Sequence, residues 1–143
     1  MIVDTTYLLS LTRIHVDTDL LKAIVEGKTD LKLDNLTVNL TSTFELQAKS
    51  TKMRVPAKFV TEAVETILAT FKVEPFHKPE ITKTSFKLRK KIKDYINCVT
   101  VATAVTSNED VATEDTLILD NKQQIKNLYR VNVLSYKDLV RNV

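Results

Sequence analysis

Ile2-Val3-Asp4-Thr5-Thr6 is the stretch whose reading decides the fold. Two β-branched apolar residues make a very short buried strand, and it stops abruptly at an acid and two hydroxyls. Downstream, Leu36 to Leu40 alternates apolar and polar residues and is expected to form a second strand. Asp110 to Thr113 and Val131 to Leu134 are expected to form two more. Between them lie helical patterns. Leu20, Leu21, Ile24 and Val25 share one face and end at Gly27. Ser42-Thr43-Phe44-Glu45 reads as a capping box that starts a helix running through Ala48. Pro56 opens the most regular helix, with Phe59, Val60, Ala63, Val64, Ile67, Leu68 and Phe71 at helical spacing.

Pro75 and Pro79 punctuate a connection, and a basic helix is expected from Ile81 to Ile92. Asp94 opens an apolar helix through Val105, and Asp115 precedes another that runs to about Tyr129. Tyr136 to Val143 is read as a short tail. Strands alternate with helices or helix pairs. That order predicts an α/β fold with a central parallel sheet and helices on both faces. With no repeat, low-complexity tract or long linker, residues 1–143 are expected to form one domain.

Composition removes several classes of function. The chain has one glycine, so neither a Walker loop nor a GxGxxG dinucleotide turn is possible within it. One cysteine, Cys98, excludes an intramolecular disulfide and a cysteine-built zinc site. No apolar run is long enough for a membrane helix, and Asp4 interrupts any signal core, so a reducing cytoplasmic setting is expected. A net charge of +3 permits nucleic-acid binding without demanding it. A dehalogenase-type phosphatase needs a second Asp where Thr6 stands, and a receiver domain needs paired acids where Ile2 and Val3 stand.

Four acids fall at one place in this scheme. Asp4 follows the first strand, Glu45 follows the second, and Asp115 follows the Asp110–Thr113 strand. Asp94 opens the helix leading into that strand, so it starts at the same edge. Ligands of parallel sheets bind at the carboxyl ends of the strands. Each acid alone has a plain structural role: Glu45 completes a capping box, Asp94 and Asp115 cap helices, and Asp4 sits in a turn. Together they would repel one another and raise one another's pKa unless a hard cation such as Mg²⁺ or Mn²⁺ lay among them. Water held by such an ion can attack a phosphodiester.

On these residues the chain resembles the PIN-domain family of metal-dependent ribonucleases. Ile2-Val3-Asp4-Thr5-Thr6-Tyr7-Leu8-Leu9 is similar to the family's first motif, and Phe44-Glu45-Leu46-Gln47-Ala48-Lys49 to its second. Asp94-Tyr95-Ile96-Asn97, continuing to Ala102 and Ala104, is similar to the third, and Val111-Ala112-Thr113-Glu114-Asp115 to the fourth. The resemblance implies a PIN-like three-layer sandwich. It implies that Asp4, Glu45, Asp94 and Asp115 bind one or two Mg²⁺ or Mn²⁺ ions and cut RNA, with Thr5 and Thr113 orienting carboxylates or water. It also implies a homodimer and, for the toxins of toxin–antitoxin pairs, a small antitoxin partner. The alternative is a PIN-like module that binds RNA or protein without cutting. The chain departs from the family at Asp120, five residues beyond Asp115, which is an auxiliary acid or a surface charge. It departs again at Asn108-Glu109, where glycine is common.

Other residues read as structural. Lys87, Arg89, Lys90, Lys91 and Lys93 form either a phosphate-tracking patch or a solvated helix face. His15 and His77 share no motif with the acids, and Cys98 reads as a small buried hydrophobe.

Overall fold

A computed structural model describes residues 1–141. Five strands form one all-parallel sheet in the order β3-β2-β1-β4-β5. These are β1 (Ile2–Val3), β2 (Thr37–Asn39), β3 (Lys72–Glu74), β4 (Val111–Ala112) and β5 (Val133–Leu134). The helices are α1 (Leu20–Val25), α2 (Leu40–Lys52), α3 (Ala57–Thr70), α4 (Pro79–Leu88), α5 (Tyr95–Ser107), α6 (Thr116–Leu119), α7 (Lys122–Tyr129) and α8 (Tyr136–Leu139). A 3-10 segment, Thr5–Thr12, follows β1 directly.

The layers follow from the alternation of side chains along a strand. Ile2 points into a core built with α4, α5, α6 and α7 residues such as Ile81, Val99, Ile118 and Ile125. Its neighbour Val3 points into the opposite core, with Leu20, Leu46, Ala63 and Ile67 from α1, α2 and α3. Val111 and Ala112 divide the same way. Two apolar cores flank one sheet, the expected α/β sandwich.

Four expectations need correction. α2 begins at Leu40, with Asn39 as its cap, so no capping box forms at Ser42 and Glu45 lies in the second turn. The buried Asn39 carboxamide accepts from the Thr41 N–H at 2.9 Å and its hydroxyl at 2.8 Å, and so captures the helix start. The Ser42 hydroxyl is buried without a partner. β3 has no counterpart in the sequence reading, because Lys72-Val73-Glu74 offers only one apolar residue. As an edge strand it needs little more, and Lys72 and Lys78 flank Glu74 there. The helix after Asp115 is broken in two, α6 and α7. The read tail folds into α8, closed by a Ser135–Asp138 capping box, while residues 142–143 lie outside the described part.

The chain builds β1, β2 and β3 in one direction and then returns to place β4 on the other side of β1. The carboxyl ends of β1 and β4 therefore flank the topological switch point, where such sheets leave a crevice. Asp4 ends one of these strands and Thr113 the other.

Candidate metal centre

Asp4 is 3% exposed, although it carries a carboxylate. Its Oδ1 accepts from the Thr5 N–H at 2.7 Å, capping the 3-10 segment. Its Oδ2 accepts from the Thr113 hydroxyl at 2.7 Å. The parallel register Val3↔Ala112 brings these next residues side by side, so the bond is a direct consequence of strand pairing. The same Thr113 oxygen accepts from the Asp115 N–H at 2.9 Å. One hydroxyl thus ties the ends of β1 and β4 together and fixes where Asp115 leaves the sheet.

Burial holds the Asp4 carboxyl above the usual carboxylate range. The Thr113 hydroxyl and the Thr5 N–H oppose that rise, the charge of Glu45 adds to it, and the Lys49 ammonium opposes it. Glu45 and Lys49 are one turn apart on α2, 3.8 Å from oxygen to nitrogen. Asp4 and Glu45 are therefore electrostatic neighbours, with the Lys49 ammonium offsetting Asp4.

The other two acids stand differently. Asp115 caps α6, accepting from the Leu117 N–H at 2.8 Å, and is half-buried. Asp94 caps α5, accepting from the Asn97 N–H at 3.1 Å, and is exposed. Among the described residues, no hydrogen bond or ion pair joins Asp94 or Asp115 to the other acids through a side chain. Nor do three His, Cys, Asp or Glu side chains group closely enough to hold a metal ion. The structure thus puts Glu45 within electrostatic reach of Asp4, ties the Asp115 backbone to Asp4 through Thr113, and leaves Asp94 at the start of α5. Asp120 is exposed at the far end of α6.

Sequence reading missed several residues around this place. Glu114, half-buried between Thr113 and Asp115, accepts from the Tyr7 hydroxyl at 2.6 Å and the Tyr136 N–H at 2.5 Å. Burial first, then the Glu114 bond and charge, push the Tyr7 phenol far above its ordinary range, so Tyr7 stays a neutral donor. Asn39, at the end of β2, donates to the Thr103 hydroxyl of α5 at 2.8 Å and locks that helix to the sheet edge. Three buried polar atoms lack partners close in sequence to the acids: Thr5 Oγ1, Ser42 Oγ and Asn97 Nδ2. Only a pattern of polar residues at positions that helical spacing assigns to the core could have announced them. The histidines stand outside the site: His15 pairs with Asp17 in solvent, and His77 packs edge-on against Phe76. Cys98 donates to the Ile92 carbonyl at 3.2 Å, and burial pushes its thiol up to about 11, which makes it a poor nucleophile. A surface cavity of about 350 Å³ lies between α2 and α3, lined by residues such as Gln47, Val55 and Val64, and includes none of the four acids.

The donors at the sheet edge suit a hard divalent cation. All are oxygens, from Asp, Glu and Thr, and Mg²⁺ commonly takes only one or two carboxylates and keeps several waters. The buried Asp4 carboxyl, whose pKa Glu45 pushes further up, and unpartnered polar atoms nearby fit the same group.

A parallel sheet of order 3-2-1-4-5 with acids at its switch point defines a Rossmann-like α/β domain. The PIN domain family model matches residues 1–122, and the chain belongs to the PIN domain family. Its members are generally nucleases and typically use divalent metal ions. A solved structure described as a toxin-antitoxin complex from Klebsiella pneumoniae has the same fold. Its TM-score is 0.56 at 18% identity, over 80% of this chain and 86% of that one. Among curated proteins none matches the sequence. Among the described residues no helix is long and apolar enough to cross a membrane.

Proposed function

We propose that the protein is a divalent-metal-dependent endoribonuclease whose ion is held by Asp4 and Glu45, with Asp94 and Asp115 completing the acid set through water. The observation that carries this reading is the Asp4 carboxylate, buried at the end of the central strand within electrostatic reach of a second carboxylate. A fold gains nothing in stability from such a charge, and a cation removes the conflict. Bound there, Mg²⁺ or Mn²⁺ would supply a Lewis acid and a water of lowered pKa for attack on the phosphodiester.

The chain's own groups prepare that step. The Thr113 hydroxyl and Thr5 N–H hold both Asp4 oxygens in fixed directions, so their remaining lone pairs could take a cation without reorganisation. Glu45 supplies the second carboxylate from the second turn of α2. Lys49 keeps the pair from full repulsion in the absence of the ion. Asp115 is held near Asp4 by its own backbone bond to Thr113. The first turn of α5, fixed by Asp94, brings Asn97 with its free amide N–H.

The neighbour solved in a toxin-antitoxin complex supports a toxin role, and with it an antitoxin partner for this chain. Pairing of two copies is proposed on the resemblance alone. The test is cleavage of a labelled single-stranded RNA by purified protein in Mn²⁺, in Mg²⁺ and in EDTA, beside Asp94→Asn. Cleavage that needs metal and fails in the variant supports the reading. Equal cutting by both proteins rejects it. Metal binding and cleavage both absent favour the binding-only module.

A further inference from the structure

The net charge of +3 has one source. Lys83, Lys87, Arg89, Lys90, Lys91 and Lys93 fall within eleven residues, and no acid lies between Glu80 and Asp94. The other fifteen basic residues are outnumbered by eighteen acids. All six cations are exposed, and among the described residues none has an acidic partner within ion-pair distance. α4 explains the arrangement in part. Ile81, Ser85 and Leu88 form its buried face, which leaves Lys83 and Lys87 outward. A solvated face accounts for the lysines. It does not account for Phe86, which sits among them with 66% of its surface in solvent.

Phe86 has one aromatic neighbour. Tyr95, the first residue of α5 and the one after Asp94, is 43% exposed, and the two rings meet edge to face with centroids 6.0 Å apart. Each ring braces the other at a low cost in side-chain entropy. An exposed aromatic pair inside a field of unpaired cations is the surface that unpaired nucleotides bind. Bases stack on the rings, and the cations track the phosphates. A second copy of the chain is a poor occupant, because six uncompensated positive charges would face their own kind.

We infer that Phe86 and Tyr95, with the cations of residues 83–93, form a docking platform for single-stranded RNA beside Asp94. The inference takes its ligand from the ribonuclease reading and deepens it by naming the residues outside the acid site that grip the RNA. It predicts a preference for single strands over duplex, since paired bases offer no free face.

Binding of a short single-stranded oligoribonucleotide carrying 2-aminopurine tests this in EDTA, where no metal-dependent cleavage competes. Wild-type protein is expected to quench the probe by stacking, and duplex RNA is expected to compete weakly. The double variant Phe86→Ala, Tyr95→Ala should bind about 10-fold or more weaker and lose the quench. Phe86→Leu, Tyr95→Leu keeps the apolar bulk and should fail likewise, while Phe86→Tyr should bind as wild type. Circular dichroism of each variant confirms folding, which these exposed sites leave intact. Unchanged affinity in the alanine double variant overturns the platform. So does full binding by the leucine variant, or polyglutamate competing as well as RNA, which would mark a site for acidic protein. Binding through the platform without any cleavage in metal would sink the nuclease reading alone. Cleavage with binding indifferent to both rings would sink the platform alone.

Discussion

Thr113→Val removes one oxygen and keeps the shape of a fully buried side chain. That oxygen makes two bonds, to Asp4 Oδ2 at 2.7 Å and from the Asp115 N–H at 2.9 Å. A hydrogen bond to a carboxylate contributes about 2 kcal/mol, and a part-buried N–H left facing a methyl group costs about 1 kcal/mol. The sum, about 3 kcal/mol, lowers the melting temperature of a domain this size by roughly 9 °C. The loss has a pH dependence whose sign is fixed. The folded Asp4 carboxyl already holds its proton more tightly than an ordinary aspartate with its pKa of 3.8, and losing Thr113 raises it further. Folding therefore takes up a proton in the window from 3.8 up to the folded pKa, and metal-free stability falls as pH rises through it. The variant has the wider window. Below it the bond lost is one to a neutral acid, worth about 1 kcal/mol. The deficit against wild type should thus shrink to about 6 °C in acid. Thermal melts of both proteins in EDTA across this range measure it, with Thr113→Ser as the variant that restores the bond. A deficit of equal size at all pH values, or none, would refute the picture of Thr113 as the support of a charged Asp4.

Three further outcomes follow from the same geometry. Asp4→Asn removes a buried charge that the fold disfavours, so its metal-free melting point at neutral pH should exceed that of wild type, while Mn²⁺ no longer raises it. Differential scanning calorimetry with and without Mn²⁺ checks both halves. Asn39→Ala loses the cap of α2 and the bond to Thr103, and should cost about 2 kcal/mol in urea denaturation. The Cys98 thiol, buried and pushed up to about 11, should resist iodoacetamide in the native protein at neutral pH and react only after unfolding; mass spectrometry reads the modification.

The sequence made the sheet legible because its central strands are dense in β-branched residues and end at abrupt polar steps. Ile2-Val3 and Val111-Ala112 stop at Asp4 and Thr113, which is where the strands do end. β3 escaped because an edge strand of Lys-Val-Glu carries no apolar pattern. The start of α2 was misplaced because Ser42 and Glu45 match a capping box by spacing alone. Asn39, three residues earlier, has the better geometry, and its carboxamide also reaches α5. At the site, the resemblance marked Thr113 as a nearby hydroxyl, but its bond to Asp4 follows from a strand register that only the fold supplies. The Asp94 and Asp115 caps were readable from their places before helices. Which acids actually converge depends on how far each helix start stands from the sheet edge, and no local pattern encodes that distance. The role of Glu114, bonded to Tyr7 more than a hundred residues away, is likewise a product of the tertiary fold.

The central claim is that Asp4 and Glu45 hold a divalent ion. Titration of metal-free protein with Mn²⁺, followed by loss of the free-ion electron paramagnetic resonance signal, tests it without relying on any substrate. Wild-type protein should bind Mn²⁺ saturably, Glu45→Gln should bind far more weakly, and Asp4→Asn should not bind. Wild-type protein that leaves the Mn²⁺ signal untouched, or variants that bind as wild type does, would contradict the account.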